Sequence, residues 1–397
     1  MNTRIAPGPW LRLTALAAAA GTLLATVSGA AHLGTAHRLL AALVAPPLAA
    51  LLVAAWLSHR RLVPGVLASA ALFTAAAAVP ERHLHAAFAA WALAGLVVVS
   101  VQSMRGERVP WGSWRDYVTL TKPRIMTLLL ITGFCGMIVG ARGWPGTATA
   151  AAAMAGLALA CGGASALNHV LDRDIDPLMG ERTKRRPVAS GRVAPSRALE
   201  FGLALSAFSF VLLASAVNLL TAVLALVGNL FYVLVYTRWL KRTTPQNIVI
   251  GGAAGAVPVL IGWSAVTGTL SLTPVLMFLI IFLWTPPHFW ALSITLKNDY
   301  ARAGVPMLPV VRGEPETRKQ IVIYSVVLLV GSLSLVAIHA MGALYLVGAL
   351  LSGGWLLVLA IRLAASPSIA RARTLFWFSN YYLAIIFALM VLDSALR

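Results

Sequence analysis

Charged side chains are scarce in this chain of 397 residues. Asp, Glu, Lys and Arg make up 11% of it, the acidic residues number only 12, and 59% of the residues are hydrophobic. A soluble globular domain carries about 25% charged residues, so the composition excludes a soluble protein. Cysteine is scarcer still. Cys135 and Cys161 both lie in apolar stretches, which indicates small core residues rather than a disulfide or a metal pair.

Apolar stretches long enough to cross a bilayer recur along the whole chain. They predict an all-α polytopic membrane protein with thirteen spans. The predicted spans are 10–30, 38–57, 62–80, 86–101, 125–141, 147–168, 198–217, 219–236, 248–267, 273–295, 321–341, 344–364 and 376–392.

The excess of basic residues, a net charge of +19, follows the predicted topology. With the N-terminus in the cytoplasm, 27 of the 31 Lys and Arg residues fall on the cytoplasmic side. Only Arg38, Arg82, Arg142 and Arg397 are left outside. This asymmetry follows the positive-inside rule. It predicts a multi-pass protein of the cell inner (plasma) membrane, with cytoplasmic active-site loops and the C-terminus outside. The basic charge then suits the lipid bilayer, and no nucleic-acid partner is expected.

A polar segment at 102–122 divides the chain. Residues 1–110 form a predicted N-terminal membrane segment of four spans, and residues 111–397 form a second domain of nine spans. Three long charged loops of the second domain fall on the cytoplasmic side: His169–Arg197, Tyr236–Asn247 and Lys297–Lys319. Charged loops of this kind tend to carry chemistry, so all three are expected to close over one site.

Asn168, just before the first loop, is spaced four residues from Asp172, and Asp172 four residues from Asp176. On a helix this spacing places one amide and two carboxylates on nearly one face. Such oxygen ligands suit Mg²⁺, which completes its shell with substrate phosphates. The run that follows supplies counter-charge for an anion: Arg182, Lys184, Arg185 and Arg186. The pattern predicts a metal–diphosphate site at a membrane surface; the alternative is a solvated loop neutralised by its own arginines.

Two further acidic residues leave alternatives open. Asp174 is out of phase with the other two aspartates, so pairing with Arg173 or the downstream basic run competes with metal ligation. Asp299 follows the tenth span beside Lys297 and Tyr300. It is interpreted either as a further metal ligand or as a charge at the end of a helix.

A histidine lies inside the tenth span, in the stretch Trp284-Thr285-Pro286-Pro287-His288-Phe289-Trp290. The two prolines are expected to interrupt the helix, which a membrane tolerates where the backbone lines a cavity. A histidine among aromatic side chains fits the wall of a site for a planar or carbocationic substrate. The alternative is a histidine satisfied by a neighbouring helix.

About 280 residues at the C-terminal end resemble the UbiA superfamily of membrane prenyltransferases, and within it the protoheme IX farnesyltransferases. Three stretches resemble the superfamily as a whole: Leu120–Ile125, and Asn168–Asp176 followed by Arg182–Pro187. More specific to the heme branch are Tyr236–Thr243, Asn247–Gly255, Trp284–Trp290, and Asp299-Tyr300 followed by Ala303–Val310. Many relatives carry a second Asp-x-x-x-Asp, but here the residue four after Asp299 is Ala303.

The resemblance implies a nine-helix prenyltransferase bundle, preceded here by about four extra transmembrane helices. It implies transfer of a farnesyl group from farnesyl diphosphate to a vinyl group of heme b, with addition of water, giving heme O for terminal oxidase assembly. Heme is then a substrate and Mg²⁺ the cofactor. The implied metal and catalytic residues are Asn168, Asp172, Asp176 and Asp299. The implied substrate-binding residues are Lys122, Arg124, Arg182, Lys184, Arg185, Arg186, Tyr236, Lys241, Arg242, Trp284, His288, Trp290, Lys297, Tyr300 and Arg302.

Residues 1–110 lie outside this resemblance. Within them His37 and His85 are predicted near the outer ends of the second and fourth spans. Two imidazoles at equal depth in a helical bundle are candidate ligands for one heme. The segment resembles half of heme A synthase, which also suggests that enzyme as a partner. The alternative is a pair of outer-loop histidines at the water interface.

Three other functions compete with farnesyl transfer to heme. The aspartate pattern alone also fits a UbiA-type prenyltransferase acting on a quinone or chlorophyll precursor, which the stretches around Tyr236 and Trp284 disfavour. Many spans and an intramembrane proline pair also suit a membrane transporter, but the sequence shows no paired inverted repeats. Intact Asp172 and Asp176 argue against a non-catalytic assembly factor.

Overall fold

The computed structural model describes residues 9–30, 35–58, 60–78, 82–103 and 111–396. All regular elements in these ranges are helices, which satisfy their own backbone groups as a bilayer requires. In chain order they are α1 (Pro9–Ala30), α2 (Thr35–Ala42), α3 (Ala45–Ser58), a 3-10 turn (Arg60–Leu62), α4 (Val63–Ala78), α5 (Arg82–Ser103), α6 (Trp114–Leu120), α7 (Pro123–Ala141), α8 (Thr147–Leu171), α9 (Glu181–Lys184), α10 (Pro195–Ala216), α11 (Leu219–Leu230), a π-helix (Phe231–Leu240), α12 (Lys241–Thr243), α13 (Asn247–Thr267), α14 (Leu272–Thr295), α15 (Lys297–Arg302), α16 (Leu308–Val311), α17 (Gly313–Ala337), α18 (Ala343–Ala365) and α19 (Ile369–Ala395). The predicted all-α polytopic membrane fold is confirmed.

The chain forms two compact units. Unit 1 contains Met1–Met126, Ala151–Val170 and Arg186–Asn229, and unit 2 contains Thr127–Ala150, Leu171–Arg185 and Leu230–Arg397. The predicted functional boundary near residue 110 is a different kind of division, and it stays a prediction.

Unit 1 joins the N-terminal helices to α8 and α10. The rings of Trp91 in α5 and Phe208 in α10 meet edge to face, with centroids 5.2 Å apart. A Cβ added at Gly163 in α8 would lie 2.8 Å from the carbonyl oxygen of Gly202 in α10. Small residues at such positions let helix backbones approach closely, which drives helix association in membranes.

Unit 2 is built around α13 and α14, against which most of the other long helices of this unit pack. A Cβ added at Gly262 in α13 would lie 1.8 Å from the carbonyl oxygen of Gly133 in α7, and one at Gly252 would lie 2.9 Å from the side chain of Thr285 in α14. The small residues of α13 therefore serve close helix packing.

Each of the thirteen predicted spans coincides with a helix or a pair of consecutive helices. Ten helices among the described residues are long and apolar enough to cross a membrane, and three shorter apolar helices lie at Leu40–Trp56, Val63–Ala76 and Phe88–Ser103. All three shorter ones belong to the N-terminal segment. The orientation of the termini stays a prediction from the charge distribution.

The expected interruption at the double proline is wrong. Pro286 and Pro287 lie inside α14, which continues from Leu272 to Thr295. Both prolines are buried inside the protein. Burial among other protein groups allows a membrane helix to tolerate proline in its interior.

Candidate active site

The first charged loop starts where α8 ends, at Leu171. Asp172 and Asp176 follow in a turn, so the expected continuous helix through all the polar residues is not formed. The backbone N–H groups of Ile175 and Asp176 nevertheless donate to the carbonyl of Asp172, at 3.1 and 2.9 Å. This helix-like turn preserves the one-turn separation between the two aspartates that the spacing predicted.

Asp172 is a fully buried carboxylate held by a cation from the second loop. Its side chain accepts a hydrogen bond of 2.6 Å from Lys241 Nζ, and both residues are buried. Arg242 Nη2 lies 3.9 Å from the other carboxylate oxygen. Burying an ion requires a well-placed partner, because its desolvation costs several kcal/mol. The Asp172–Lys241 pair therefore fixes the second loop against the first.

Arg242 makes the second tie between the same two loops. Its guanidinium donates to both carboxylate oxygens of Asp174, at 2.6 and 2.7 Å, and to the carbonyl of Leu171 at 2.6 Å. Hydrogen bonding from Arg242 lowers the pKa of Asp174 from 3.8 to about 2. Asp174 thus pairs with the second loop rather than with Arg173 or the downstream basic run. We call Asp172, Asp174, Lys241 and Arg242 the ionic cluster.

A π-helix leads the chain into the ionic cluster. It spans Phe231–Leu240, directly before Lys241, and π-helical segments frequently occur at functional sites. Its Tyr236 stacks on Tyr232, with ring centroids 5.5 Å apart. A Cβ added at Gly251 would lie 2.2 Å from the Tyr236 ring. The glycine therefore makes room for a tyrosine that the sequence assigned to the substrate site.

The third loop meets the first at Asp299. Asp299 accepts a hydrogen bond from Arg302, one helical turn later. A Cβ added at Gly180 would lie 2.9 Å from Asp299 Oδ2, so the absence of a side chain at Gly180 lets this carboxylate reach the first loop. Tyr300 is buried in a small apolar cluster with Ile175 of the first loop, among others.

That apolar cluster contains residues of all three loops. Ile175 comes from the first loop, Tyr236 and Ile248 from the second and its following helix, and Val305 and Met307 from the third. The predicted convergence of the three loops is therefore found within unit 2. The three loops therefore have apolar contacts in common in addition to their ion pairs.

The carboxylates of unit 2 are of the type that binds a divalent cation, but they are not clustered as a complete set of metal ligands. Asp172 and Asp176 are both fully buried, and carboxylate oxygens are ligands that Mg²⁺ prefers. Among the described residues, no three His, Cys, Asp or Glu side chains come together as a metal-binding group. The donor set fits Mg²⁺ in ligand type, and the assignment of Asp172, Asp176 and Asp299 as ligands stays a prediction.

Asn168 has its own partner within unit 1. Its side-chain oxygen accepts a hydrogen bond of 2.6 Å from Lys122 Nζ, and Asn168 is 3% exposed. Lys122 adopts a left-handed backbone conformation, with φ of 51°. Just before it, the carbonyl of Leu120 accepts from Ser165 Oγ at 2.6 Å. Two predicted site residues are thus brought together at the start of α7.

A second group of predicted residues forms in α14 and α19. The imidazole of His288 lies between the rings of Trp284 and Phe376, with centroid distances of 4.2 and 4.7 Å. His288 Nδ1 lies 2.7 Å from Ser379 Oγ. Trp284 Nε1 donates to the Ser379 carbonyl at 2.6 Å. We call these four residues the aromatic stack.

Several predicted substrate residues lie elsewhere. Trp290 packs edge to face on Tyr324 rather than joining the aromatic stack. Lys297 pairs with Glu314 at 3.3 Å. The remaining basic candidates have exposed side chains, except for Arg186, which is partly buried: Arg124, Arg182, Lys184, Arg185 and Arg186.

Of the two histidines predicted to bind heme in the N-terminal segment, the structure describes the side chain of His37. His37 Nδ1 lies 2.8 Å from the carbonyl of Ala25 in α1. The side chain of His85 lies outside the described residues, so the pairing of the two imidazoles stays a prediction.

Sequence reasoning missed four residues that shape these groups. Ser379 and Phe376 of α19 complete the aromatic stack, and Gly180 and Gly251 make room for Asp299 and Tyr236. Nothing in the sequence singles out Ser379, because buried serines such as Ser264 and Ser332 occur in other spans as well. Nothing local distinguishes the two glycines from other small residues of the loops and spans.

Comparison with known proteins finds one family that matches most of this chain. The model of the UbiA prenyltransferase family matches residues 129–385. A protoheme IX farnesyltransferase of Symbiobacterium thermophilum is 53% identical over 281 residues, which cover 70% of this chain and 94% of that protein. One of Thermus thermophilus is 44% identical over 326 residues, covering 79% of this chain and 54% of that protein.

Solved structures share the fold at low sequence identity. A structure of digeranylgeranylglyceryl phosphate synthase has a TM-score of 0.61 at 17% identity, covering 72% of this chain and 99% of that one. A UbiA homolog from Archaeoglobus fulgidus bound to GPP and Mg²⁺ has a TM-score of 0.51 at 17% identity, covering 69% and 99%. Family model, relatives and fold agree, and the chain belongs to the UbiA prenyltransferase family, among the protoheme IX farnesyltransferases.

Proposed function

We propose that this membrane protein transfers the farnesyl group of farnesyl diphosphate to a vinyl group of heme b, with addition of water, giving heme O. The observation that carries the proposal is the buried Asp172–Lys241 pair, a carboxylate and an ammonium 2.6 Å apart on two loops that match the family. The relatives at 44–53% identity are protoheme IX farnesyltransferases. They favour heme over a quinone or chlorophyll precursor, and an enzyme over a transporter.

Mg²⁺ is the proposed cofactor, held in unit 2 by Asp172, Asp176 and Asp299. When bound, the ion would neutralise charge on the diphosphate as a Lewis acid. The Archaeoglobus fulgidus homolog that was solved with GPP and Mg²⁺ supports this choice. Asn168, in unit 1, is a further ligand proposed from its sequence spacing alone.

The first chemical step is departure of the diphosphate. The C1–O bond of farnesyl diphosphate breaks, its electron pair leaves with the diphosphate oxygen, and an allylic cation remains. Lys241 and Arg242 are the residues proposed to offset the charge that develops on the leaving group. Lys122, Arg124, Arg182, Lys184, Arg185, Arg186, Lys297 and Arg302 remain proposed contacts of the same anion.

The second step joins farnesyl to the porphyrin. The π electrons of the heme vinyl group form a bond to C1 of the farnesyl cation, which leaves a cation on the vinyl carbon next to the ring. Water adds there and loses a proton, giving the hydroxyethylfarnesyl product. Aromatic faces such as Trp284 and Phe376 favour a nearby cation, and an apolar wall keeps bulk water from trapping the farnesyl cation first.

The setting of the enzyme is proposed from sequence. We place it in the cell inner (plasma) membrane, with the N-terminus and the three charged loops in the cytoplasm and the C-terminus outside. Residues 1–110 are proposed as a separate four-span functional segment with His37 and His85 as heme ligands. Heme A synthase is the proposed partner that consumes heme O.

A pair of matched variants tests the proposal. The full chain in lipid vesicles receives heme b, farnesyl diphosphate and Mg²⁺, and heme O is quantified by chromatography. Asp172→Asn is expected to lower the rate by about 100-fold or more, since it removes an electrostatic contact of the reaction. Asp174→Asn, two residues away with a side chain that is 59% exposed, should keep the rate within about tenfold.

Chelation supplies a second arm for the metal. EDTA should stop heme O formation by the wild type and by Asp174→Asn, and added Mg²⁺ should restore it. Equal rates for Asp172→Asn and wild type would contradict the assigned role of the ionic cluster. Activity that EDTA leaves unchanged would contradict Mg²⁺ alone.

A further inference from the structure

The imidazole of His288 is held in one orientation by contacts on both faces. Trp284 stacks on one face with an interplanar angle of 19°, and Phe376 contributes a second stacked ring at 28°. Trp284 is itself fixed, because its Nε1 donates to the carbonyl of Ser379 at 2.6 Å. The ring therefore has little freedom to turn about its Cβ–Cγ bond.

The hydrogen bonds of Ser379 determine which ring nitrogen carries the proton. Ser379 Oγ lies 2.7 Å from the carbonyl of Phe376 and 2.7 Å from His288 Nδ1. Both contacts are hydrogen bonds only when the hydroxyl donates its one proton to the carbonyl and accepts from Nδ1. A charged imidazolium within an apolar span is costly, so the ring is neutral. Nδ1 accordingly bears the proton, and Nε2 carries a lone pair.

The second nitrogen of the imidazole, Nε2, takes no part in these contacts. Nε2 has no hydrogen-bond partner among the described residues, whereas Ser379 on the opposite edge is fully buried. His288 itself is partly exposed. A histidine with a purely structural role would normally use both nitrogens when it sits among apolar helices. Here one nitrogen is anchored and the other presents its lone pair.

This arrangement is typical of a metal-ligating histidine. Such residues usually donate their second ring N–H to an oxygen, which fixes the tautomer and the ring orientation and makes the free nitrogen a better ligand. Iron in a porphyrin takes imidazole as an axial ligand. The porphyrin is the acceptor substrate proposed for this enzyme. A ligand for its iron therefore belongs to the part of the site that binds the acceptor.

We propose that His288 Nε2 binds the iron of the acceptor heme as an axial ligand, with Ser379 positioning the ring. This rests on heme b being the acceptor. Axial ligation would hold the porphyrin at one depth and tilt, so that a vinyl group is presented in the same place in each turnover. His288 is then a substrate-binding residue, and Ser379 is a positioning residue that acts through it.

Two variants separate ligation from packing. His288→Asn retains an amide N–H that can donate to Ser379 but has no atom in the place of Nε2. Ser379→Ala keeps Nε2 and removes the hydrogen bond to Nδ1. Full-length protein in detergent is titrated with heme b, and the affinity and the absorption and resonance Raman spectra of the bound heme are recorded. His37→Ala with His85→Ala in every protein removes any signal from the N-terminal segment.

The expected results differ for the two variants. The parent protein should show an iron–imidazole signature, which His288→Asn should lose and which free imidazole should restore. Ser379→Ala should keep that signature but bind heme about tenfold more weakly, as expected when the partner of a ligating histidine is removed. His339→Asn, at an exposed turn of the same unit, should match the parent.

The contrary results are equally distinct. An unchanged spectrum in His288→Asn, or a parent protein whose bound heme lacks a nitrogen ligand from the protein, would overturn the ligation. If His288→Asn does not fold, the spectrum of the parent decides the ligation, and a heme affinity of Ser379→Ala equal to that of the parent would overturn the positioning role of Ser379. Heme O production by the parent, measured in parallel, shows separately whether the proposed function holds.

Discussion

The ionic cluster and the aromatic stack, both in unit 2, are assembled in different ways. The ionic cluster joins loops with charged side chains, and its central carboxylate, Asp172, is fully buried against Lys241. The aromatic stack joins two helices through neutral groups, with Ser379 bonded to both Trp284 and His288. The first arrangement suits an anion that departs with charge, and the second suits a large planar partner and a cationic intermediate.

The difference also separates stability from function. A buried ion pair is costly to break because one charge is left without its partner. A stack of neutral rings loses only packing and a hydrogen bond when one member is replaced. Substitutions of the buried pair Asp172–Lys241 should therefore lower both stability and activity, while those in the aromatic stack should act mainly on the acceptor substrate.

The largest effect is expected from Lys241→Met. The carboxylate of Asp172 would stay buried without the Lys241 ammonium, with the Arg242 guanidinium 3.9 Å away. Loss of one partner of a buried pair destabilises by about 3–5 kcal/mol. We expect a value near the lower end, about 3 kcal/mol, measured by denaturant unfolding in detergent, together with loss of heme O formation.

Lys297→Met is the matched control for stability. Lys297 pairs with Glu314 at 3.3 Å, and both side chains are more than a third exposed. Exposed pairs contribute about 0–1 kcal/mol, so this variant should unfold almost like the wild type. Equal stabilities for the two lysine variants would mean that the Asp172–Lys241 pair does not hold the loops together.

A smaller effect is expected from Gly251→Ala. The added methyl group would lie 2.2 Å from the ring of Tyr236, so the tyrosine or the helix must shift. Overpacking of this kind costs about 1–3 kcal/mol. Because Tyr236 lies in the π-helix that leads to Lys241, we also expect heme O formation to fall by about tenfold.

Gly255→Ala provides the control one helical turn later. A Cβ at Gly255 meets nothing within 4 Å, and alanine in place of glycine in a helix interior gains about 0.5–1 kcal/mol. The two substitutions should therefore have opposite signs in the free energy of unfolding. If they behave alike, the close contact between Gly251 and Tyr236 has no energetic role.

The smallest effect concerns the exposed edge of the ionic cluster. The pKa of Asp174 is lowered from 3.8 to about 2 by Arg242. A carboxyl group with a lowered pKa in the folded state stabilises that state above its unfolded pKa and loses this contribution as the pH falls through its folded pKa. The difference in melting temperature between wild type and Asp174→Asn should be constant above about pH 4 and vanish as the pH falls towards 2.

Salt gives an independent check on the same pair. Asp174 is largely exposed, so its attraction to Arg242 should weaken as ionic strength rises. A melting-temperature difference that persists below pH 2, or that ignores salt, would show that the aspartate acts through something other than its charge.

Much of the fold could be predicted because the solvent of this chain is a bilayer. Water-free surroundings force apolar, internally bonded helices, so apolar runs mark the spans directly. Asp172, Asp176 and Lys241 could be singled out for the same reason, since charge is rare and expensive in such a chain.

The features that could not be predicted depend on residues that are far apart in the sequence. The alternatives for Asp174 were metal ligation and a local ion pair, but its partner Arg242 lies 68 residues away. Ser379 lies 91 residues from His288, and only the packing of α14 against α19 brings them together. The π-helix has no distinguishing local pattern, and the continuity of α14 through two prolines depends on its neighbours.

The division of labour between the two groups is tested most directly by a crossed binding measurement. Affinities for farnesyl diphosphate and for heme b are measured on the same preparations of Asp172→Asn and His288→Asn. Asp172→Asn should lose most of its affinity for farnesyl diphosphate and bind heme with the wild-type spectrum, and His288→Asn should show the reverse. If each variant loses both ligands to the same extent, or if Asp172→Asn binds farnesyl diphosphate as the wild type does, the two groups do not serve the two substrates separately.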